Sequence, residues 1–266
     1  QGGSLYKTNT RSFSYTLNEL LTYRRNFGEH SIDLLAGHEY YRYNYNYAMA
    51  GKSGIVDGID ELGAAVTTIA NTSYSNDYAI ESVLARLNYG YADRYYFDAS
   101  WRTDGSSRFH KDNRWGNFWS VGASWRISQE AFMEPASSWL SNLTLRASYG
   151  VQGNDNLGSF YVWQGRFNYG WSNGTRPGAM AGSIENRLVT WEKNGNLNIG
   201  VDATFLKGRL SAIVEYYNRK TWDMLLNNPL AISSGFSGYD DNVGSMLNQG
   251  MEFTLRAVIF EKPNFH

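Results

Sequence analysis

The side chains able to do chemistry are few and scattered. Four histidines, His30, His38, His110 and His266, form no H-E-x-x-H pattern. In "GHEY" (37–40) His38 and Glu39 are neighbours, and neighbours on a strand point to opposite faces, so the two do not close on one metal ion. "DGSSRF" (104–109) offers the hydroxyls of Ser106 and Ser107, yet no nucleophile elbow surrounds them and a turn accounts for the segment. "YDDNVG" (239–244) sets Asp240 beside Asp241, hard oxygen donors of the kind calcium takes, without a full ligand set. With 0 Cys there is neither a disulfide framework nor a cysteine zinc site. The expectation is no catalytic residue, no metal and no cofactor. Binding chemistry is better represented. Tyr161, Trp163, Tyr169 and Trp171 are interleaved with Asn, Gln and Arg. Aromatic faces stack on sugar rings or peptide side chains while polar neighbours hydrogen-bond the ligand. The same rings could instead pack the loop on itself or on a partner protein.

The elements that carry these residues read as strands. The chain has 266 residues, 18% charged and 16% aromatic, with 27 Gly and 4 Pro. Aromatics favour strands, and glycine serves turns. Net charge is −1, which gives no basic surface for nucleic acid. No run of about 18 apolar residues marks a membrane helix, but a transmembrane barrel hides its lipid contact in alternation. Period-2 patterns predict strands at about 10–24, 30–43, 78–92, 94–104, 117–128, 142–152, 189–206, 208–222 and 245–258. A helical turn or two is expected within 128–142. Short links (26–30, 92–94, 207–208) alternate with long ones (44–77, 105–116, 153–188, 223–244). Outer-membrane barrels share that asymmetry, with short turns on one side and long loops on the other.

One parity of the last seven strands is free of charge. It runs through Val83 to Tyr91, Tyr95 to Trp101, Trp119 to Ile127, Leu143 to Val151, Leu197 to Phe205, Leu210 to Tyr216 and Met251 to Ala257. The other parity carries Arg86, Asp98, Arg102, Asp104, Arg126, Arg146, Asp202, Glu215, Arg219, Glu252 and Arg256. A bilayer enforces such sorting, because Arg or Lys facing lipid at the midplane costs ~2–4 kcal/mol. A sheet on a soluble core needs one apolar face too. Ring placement separates the two: Tyr91, Tyr95 and Trp125 lie near the short turns, and Trp101, Trp119, Tyr149 and Tyr216 near the long loops. Tyr and Trp prefer the membrane interface, where the ring is half dry and its tip is wet. Strands one and two fit less well, since Glu19 shares the parity of Tyr15, Leu17 and Leu21.

"RYYFDASWRTDGSSRF" (94–109), "WGNFWSVGASWRISQEAFM" (115–133) and "LSNLTLRASYGVQGN" (140–154) resemble the SusC/RagA-type TonB-linked outer-membrane transporter family. So do "LVTWEKNGNLNIGVDATFLKGRLSAIVEYYNRKTWDMLL" (188–226) and "NVGSMLNQGMEFTLRA" (242–257). The motifs stand in family order across 80–258, and residues 1–79 match only in general character. Trp119 departs from the family, which often carries proline there, and this bears on local strand geometry. The resemblance implies an all-β, antiparallel up-and-down transmembrane barrel of 22 strands. Residues 1–266 would supply about nine of them within the C-terminal barrel domain, without the plug or the TonB-contacting segment. It further implies a multi-pass protein of the cell outer membrane that imports oligosaccharides or oligopeptides. A SusD-like surface lipoprotein and the TonB-ExbB-ExbD complex would be its partners. On that reading Arg102, Asp104, Arg146, Glu252 and Arg256 face the lumen and meet plug or substrate, or else form a cross-strand charge ladder. Two rivals remain: a passive porin-like or adhesion barrel, and a soluble carbohydrate-binding β-protein.

Overall fold

The computed structural model describes residues 3–259; His266 lies outside them. Thirteen strands form: β1 (Ser4–Phe27), β2 (His30–Ile55), β3 (Ala65–Tyr91), β4 (Tyr95–Ser106), β5 (Trp115–Arg126), β6 (Leu140–Asn154), β7 (Phe167–Asn173), β8 (Arg176–Ala181), β9 (Glu192–Phe205), β10 (Leu210–Trp222), β11 (Leu225–Pro229), β12 (Gly238–Asn242) and β13 (Ser245–Ala257). Nine of them make one antiparallel meander in the order β1-β2-β3-β4-β5-β6-β9-β10-β13. The hairpins β7–β8 and β11–β12 stand apart as two small sheets. The architecture is all-β and the sheet is not closed, as expected for part of a barrel wall. No helix among the described residues is long and apolar enough to cross a membrane, which says nothing about strands.

The tight links β1–β2 and β3–β4 lie at one end of the meander. Ala92 and Asp93 both take positive φ, of 52° and 55°, as a two-residue turn between right-twisted strands requires. The same end holds the β9–β10 link, with Lys207 at φ 57°, and the β5–β6 link, which is two short 3₁₀ turns at Ile127–Gln129 and Ala131–Ala136. The expected turn or two within 128–142 is therefore 3₁₀, with Pro135 inside it.

The apolar face is uncovered. Phe97, Trp101, Trp119, Leu145, Ile199, Val214 and Phe253 are all exposed, Phe253 at 72%. Among the described residues no second layer lies over them. Leu21, Leu34, Ala85, Ala99, Trp101 and Val121 line one shallow apolar groove, which carries the face back onto β1 and β2. A soluble sandwich would bury these side chains against a facing sheet. Apart from Ala65 and Leu140, the buried apolar residues among those described, Phe109, Phe118, Val162, Val189 and Trp191, lie in or beside the long loops. Trp119 sits in unbroken register between Trp101 and Val151, so the lack of proline there goes with regular pairing.

Rings form the two expected belts. Near the tight turns Phe27 stacks on His30 at 5.2 Å, His30 meets Tyr91 at 4.8 Å, Tyr91 meets Tyr95 at 6.3 Å, and Tyr95 meets Trp125 at 6.3 Å. Near the long loops Trp119 packs on Tyr149 at 5.5 Å. Glu130, from the β5–β6 link, ties the first belt together. It accepts hydrogen bonds from Tyr95 Oη (2.5 Å), Trp125 Nε1 (2.9 Å) and Arg94 Nη1 (3.2 Å).

Contacts divide the chain into two units: Gln1–Asn18 with Glu39–Glu81, and Glu19–His38 with Ser82–His266. The first corrects the expected loop at 44–77. β2 runs on to Ile55 and β3 starts at Ala65, leaving only 56–64 as a connection. "YRYNYNY" keeps its alternation without an apolar face, because main-chain pairing continues and each face finds its own partners. Asn44 donates to Asp77 (3.0 Å) and Ser75 to Asn46 (2.7 Å). Tyr43, Tyr45, Tyr47 and Tyr74 stack at 5.0–6.4 Å on their own side. In the second unit Glu19 meets His38 Nδ1 at 3.5 Å, so the charge that fitted poorly has a cross-strand partner.

Two outcomes follow for the full-length protein. Ala99 faces Val121 on the apolar side, whereas Ser100 and Ser120 share a hydrogen bond of 2.6 Å on the polar side. Ala99→Arg is expected to cost ~2–4 kcal/mol and block assembly, with Ser100→Arg tolerated, as read by heat-modifiability on gels. Equal tolerance would refute the facing. The hydrogen bond from Tyr95, then that from Trp125, with Arg94 adding its own, hold the Glu130 carboxyl below its usual range. A depressed acid stabilises above its unfolded pKa, about 4.3, and loses that contribution as pH falls through the folded value. Glu130→Gln should therefore flatten the acid side of a thermal-stability profile against pH, leaving the alkaline side parallel to wild type.

Candidate functional site

The polar face of the sheet is organised in rows, because residues in register lie side by side across strands. One row runs Arg146 (β6), Gly200 (β9), Glu215 (β10) and Glu252 (β13). Gly200 carries no side chain, so the Arg146 guanidinium crosses above it and reaches two acids. Its Nη2 donates to Glu215 Oε2 at 2.5 Å and its Nε to Asp202 Oδ2 at 3.0 Å. A Cβ on Gly200 would come within 2.9 Å of Arg146 Cζ. Glu252 sits directly opposite Glu215, whose charge is already engaged. Glu252 and Arg256 have no side-chain partner among the described residues.

Toward the long loops Arg102 is engaged as well. It donates to Asp104 Oδ1 (2.5 Å) and Ser82 Oγ (2.8 Å), and Asp104 is 7% exposed. Between these charged rows lies one that is neutral across β4, β5, β6 and β9 and ends on Arg219 of β10, the register partner of Asn196. Ser100, Ser120, Gly150 and Asn196 are in register, and next to them stand Gly122, Ser148 and Asn198. Ser148, Gln152, Asn196 and Asn198 make no side-chain hydrogen bond among the described residues, although they share one trough.

Above the trough the loops fold over the polar face. Phe118 lies on that face of β5, with Arg102 beside it in register, and packs edge-on against Trp191 at 5.2 Å. Trp191 meets Phe109 at 5.5 Å and donates Nε1 to the Arg114 carbonyl at 2.8 Å. Gly116 and Gly153 give the rings room; a Cβ on Gly153 would stand 2.1 Å from Phe118. "DGSSRF" is the tie of this cluster. Ser106 is fully buried and donates to Asp155 Oδ2 at 2.6 Å, and Arg108 donates to the Asp155 carbonyl (3.0 Å) and to Asn156 Oδ1 (2.9 Å). Ser106 thus spends its hydroxyl on closing the loop onto Asp155, and no histidine hydrogen-bonds it among the described residues. Asn242 donates to the carbonyls of Thr190 (2.9 Å) and Asp223 (2.8 Å), which joins the β11–β12 hairpin to the same rim.

The four loop aromatics do not converge. Trp163 sits edge-on to His110 at 5.0 Å, beside buried Val162, and Tyr161 belongs to the same loop. Tyr169 and Trp171 are exposed at 80% and 55% on the β7–β8 hairpin. There Tyr169 pairs with Ala179 and Trp171 with Gly178, the register shifting at Gly170, whose φ is 95°. The extra residue turns the two rings to opposite faces of the hairpin. Asp240 and Asp241 are held by amides: Asn227 donates to Asp240 (3.0 Å) and Asn186 to Asp241 (3.2 Å). The described residues hold no group of three His, Asp or Glu able to bind a metal. Sequence reasoning missed the neutral row and Trp191. "NGNLN" (194–198) carries the signal for the first, since its asparagines fall on one parity; nothing local marks Trp191.

Comparison with known proteins fits this geometry. Residues 1–262 match the family described as TonB dependent receptor-like, beta-barrel. TonB-dependent receptor P3 of Formosa agariphila is 32% identical over 256 residues, covering 94% of this chain and 25% of that protein. TonB-dependent receptor SusC of Bacteroides thetaiotaomicron is 31% identical over 257 residues, covering 92% and 25%. The structure of the RagAB peptide transporter superposes with a TM-score of 0.90 at 32% identity, covering 96% of this chain and 29% of that one. The chain thus spans about a quarter of the length of the curated relatives it matches.

The Arg146 row makes a coupling measurable. Gly200→Ala should destabilise the full-length receptor by about 1–2 kcal/mol, because its methyl displaces the guanidinium, and by about zero when Arg146 is already Ala. Additive effects in urea unfolding from detergent would show that Arg146 does not lie across Gly200.

Proposed function

The chain belongs to the TonB dependent receptor-like β-barrel family, and from that premise we propose that it forms wall and outer loops of a TonB-dependent importer of the SusC/RagA type in the outer membrane. The observation that carries the reading is the bare, uncharged face of seven of the nine strands in the sheet, belted by rings at both ends. Hydrocarbon wets such a face without the partner layer a soluble protein needs. Residues 1–266 are about nine strands of a longer protein's 22-stranded barrel, which its remaining strands, plug and TonB-contacting segment complete. Its cargo is an oligosaccharide or an oligopeptide too large for passive pores. A SusD-like lipoprotein covers the outer mouth, and the TonB-ExbB-ExbD complex supplies energy. The polar face is the lumen wall, so Arg102, Asp104 and Arg146 are wall charges already engaged, while Glu252 and Arg256 are open to plug or cargo. The protein carries rather than converts its cargo. Tyr169 and Trp171, prominent on opposite faces of the β7–β8 hairpin, each offer an outer contact for cargo or lipoprotein, with Tyr161 and Trp163 in the preceding loop.

Cells lacking the complete gene should fail to grow on one class of glycan or peptide. In wild-type cells a protonophore should reduce uptake of that nutrient to background. Uptake that survives the protonophore identifies a passive porin. A full-length protein recovered from the aqueous phase without detergent identifies a soluble binder. Either result overturns the proposal.

A further inference from the structure

We propose that the neutral row of the polar face is a subsite for an uncharged oligosaccharide, held by Ser148, Gln152, Asn196 and Asn198. This rests on the importer reading and narrows its cargo. The polar face carries three tiers, and two are chemically closed. In one, Arg146 is shared by Asp202 and Glu215. In another, Arg102 is held by Asp104 and Ser82, beneath loops that hydrogen-bond one another. The tier between them is a trough of about 340 Å³, and its four side chains keep their hydrogen-bonding capacity unspent. Asn196 and Asn198 are half-buried, two residues apart on β9, and so project to the same side. Gly150 leaves no side chain standing between Ser120 and Asn196 in their row, which opens the trough across the strands.

The class of ligand follows from what these groups lack. A carboxamide donates and accepts at once, and so does each hydroxyl of a sugar. Adjacent amides two residues apart can therefore follow adjacent hydroxyls whichever way each is oriented. A peptide main chain binds best at a strand edge, with pockets for alternate side chains. This is a sheet face, whose main-chain groups are spent on the ladder; of the rings on this face nearest the trough, Phe118 is sunk among the rim residues at 7% exposure and Tyr217, in register beside Asn198, is covered by the Arg219 guanidinium at 5.4 Å. Charged sugars meet the exposed carboxylate of Asp98 at the border; of the two cations nearby, Arg102 is paired with an acid, and Arg219, beside Asn196 in register, lies over the Tyr217 ring at 5.4 Å. Neutral hydrogen bonds without ring stacking give a modest, exchangeable grip. A conduit wall needs that, since cargo must leave it again.

The test uses the purified full-length receptor and titration calorimetry against maltoheptaose, cellohexaose and mannohexaose, with hexagalacturonate and a casein digest as the charged and peptide arms. Wild type should bind at least one of the three neutral sugars. Asn196→Ala with Asn198→Ala should raise its Kd about ten-fold, and Ser148→Ala with Gln152→Ala should act in the same direction. Asn196→Asp with Asn198→Asp, equal in size but charged, should weaken the neutral sugar as well. Thr254→Ala, on the same face outside the trough, should leave Kd unchanged. All variants should keep wild-type heat-modifiability, which separates lost binding from lost folding. Unchanged neutral-sugar binding in both alanine pairs overturns the subsite. So does a wild type that binds peptides or galacturonate but no neutral sugar; energised uptake of those ligands would leave the importer reading standing. If energised cells import nothing from the panel, both readings fall.

Discussion

Hydrocarbon offers no hydrogen bonds and solvates no charge, and most of this architecture answers to that. Main-chain polar groups at membrane depth must pair within the sheet, which favours a continuous meander. Side chains on the outer parity must be uncharged, and with lipid as their partner they need no second protein layer. The apolar face accordingly stays bare along β3–β6, β9, β10 and β13, while the small buried core sits at the rim, where water returns. The rings mark the two boundaries, and at one of them Glu130 takes up the polar tips of Tyr95 and Trp125.

The opposite face has the reverse problem. It is polar, and its charges must be matched at close quarters without blocking the space they border. Glycine is part of that solution. Gly200 lets one arginine serve acids on two strands, and Gly122 leaves room for the Asp98 carboxylate. Where charge is absent, as at Asn196 and Asn198, the wall keeps hydrogen-bonding groups to offer. Matched charges, an open neutral trough and a closed rim thus follow one another along the same strands. A moving cargo would meet them as distinct zones of chemistry.

The long loops are less independent than their composition suggests. Asp155, Arg108, Ser106, Trp191 and Asn242 tie segments far apart in sequence into one rim, with Phe118 anchoring it to the wall. The β7–β8 hairpin presents Phe167, Tyr169 and Trp171 outward, and Trp115 is also exposed where β5 leaves its loop. These exposed rings therefore stand on a seat that is itself well packed.

Alternation alone, read from "YYFDASW" or "LTLRASYGV", determined strand identity, the facing of each side chain and the two belts. These are consequences of a period of two, which a bilayer turns into a rule for every residue. Composition misled at 44–77, where Gly, Asn and Ser suggested a loop; main-chain pairing runs on to Ile55 and resumes at Ala65 without needing an apolar side. The candidate site was legible only in part. Charges on the inner parity could be named, but their partners depend on register between strands, and a single glycine such as Gly200 decides whether Arg146 is open or taken. Likewise the bulge at Gly170 reverses Trp171 relative to Tyr169, and a local pattern has no means of counting it. Trp191 owes its burial to Phe109 and Phe118, more than 70 residues away. Facing is fixed by the residue and its immediate neighbours, whereas partnership is fixed across strands, so only the folded sheet could decide it.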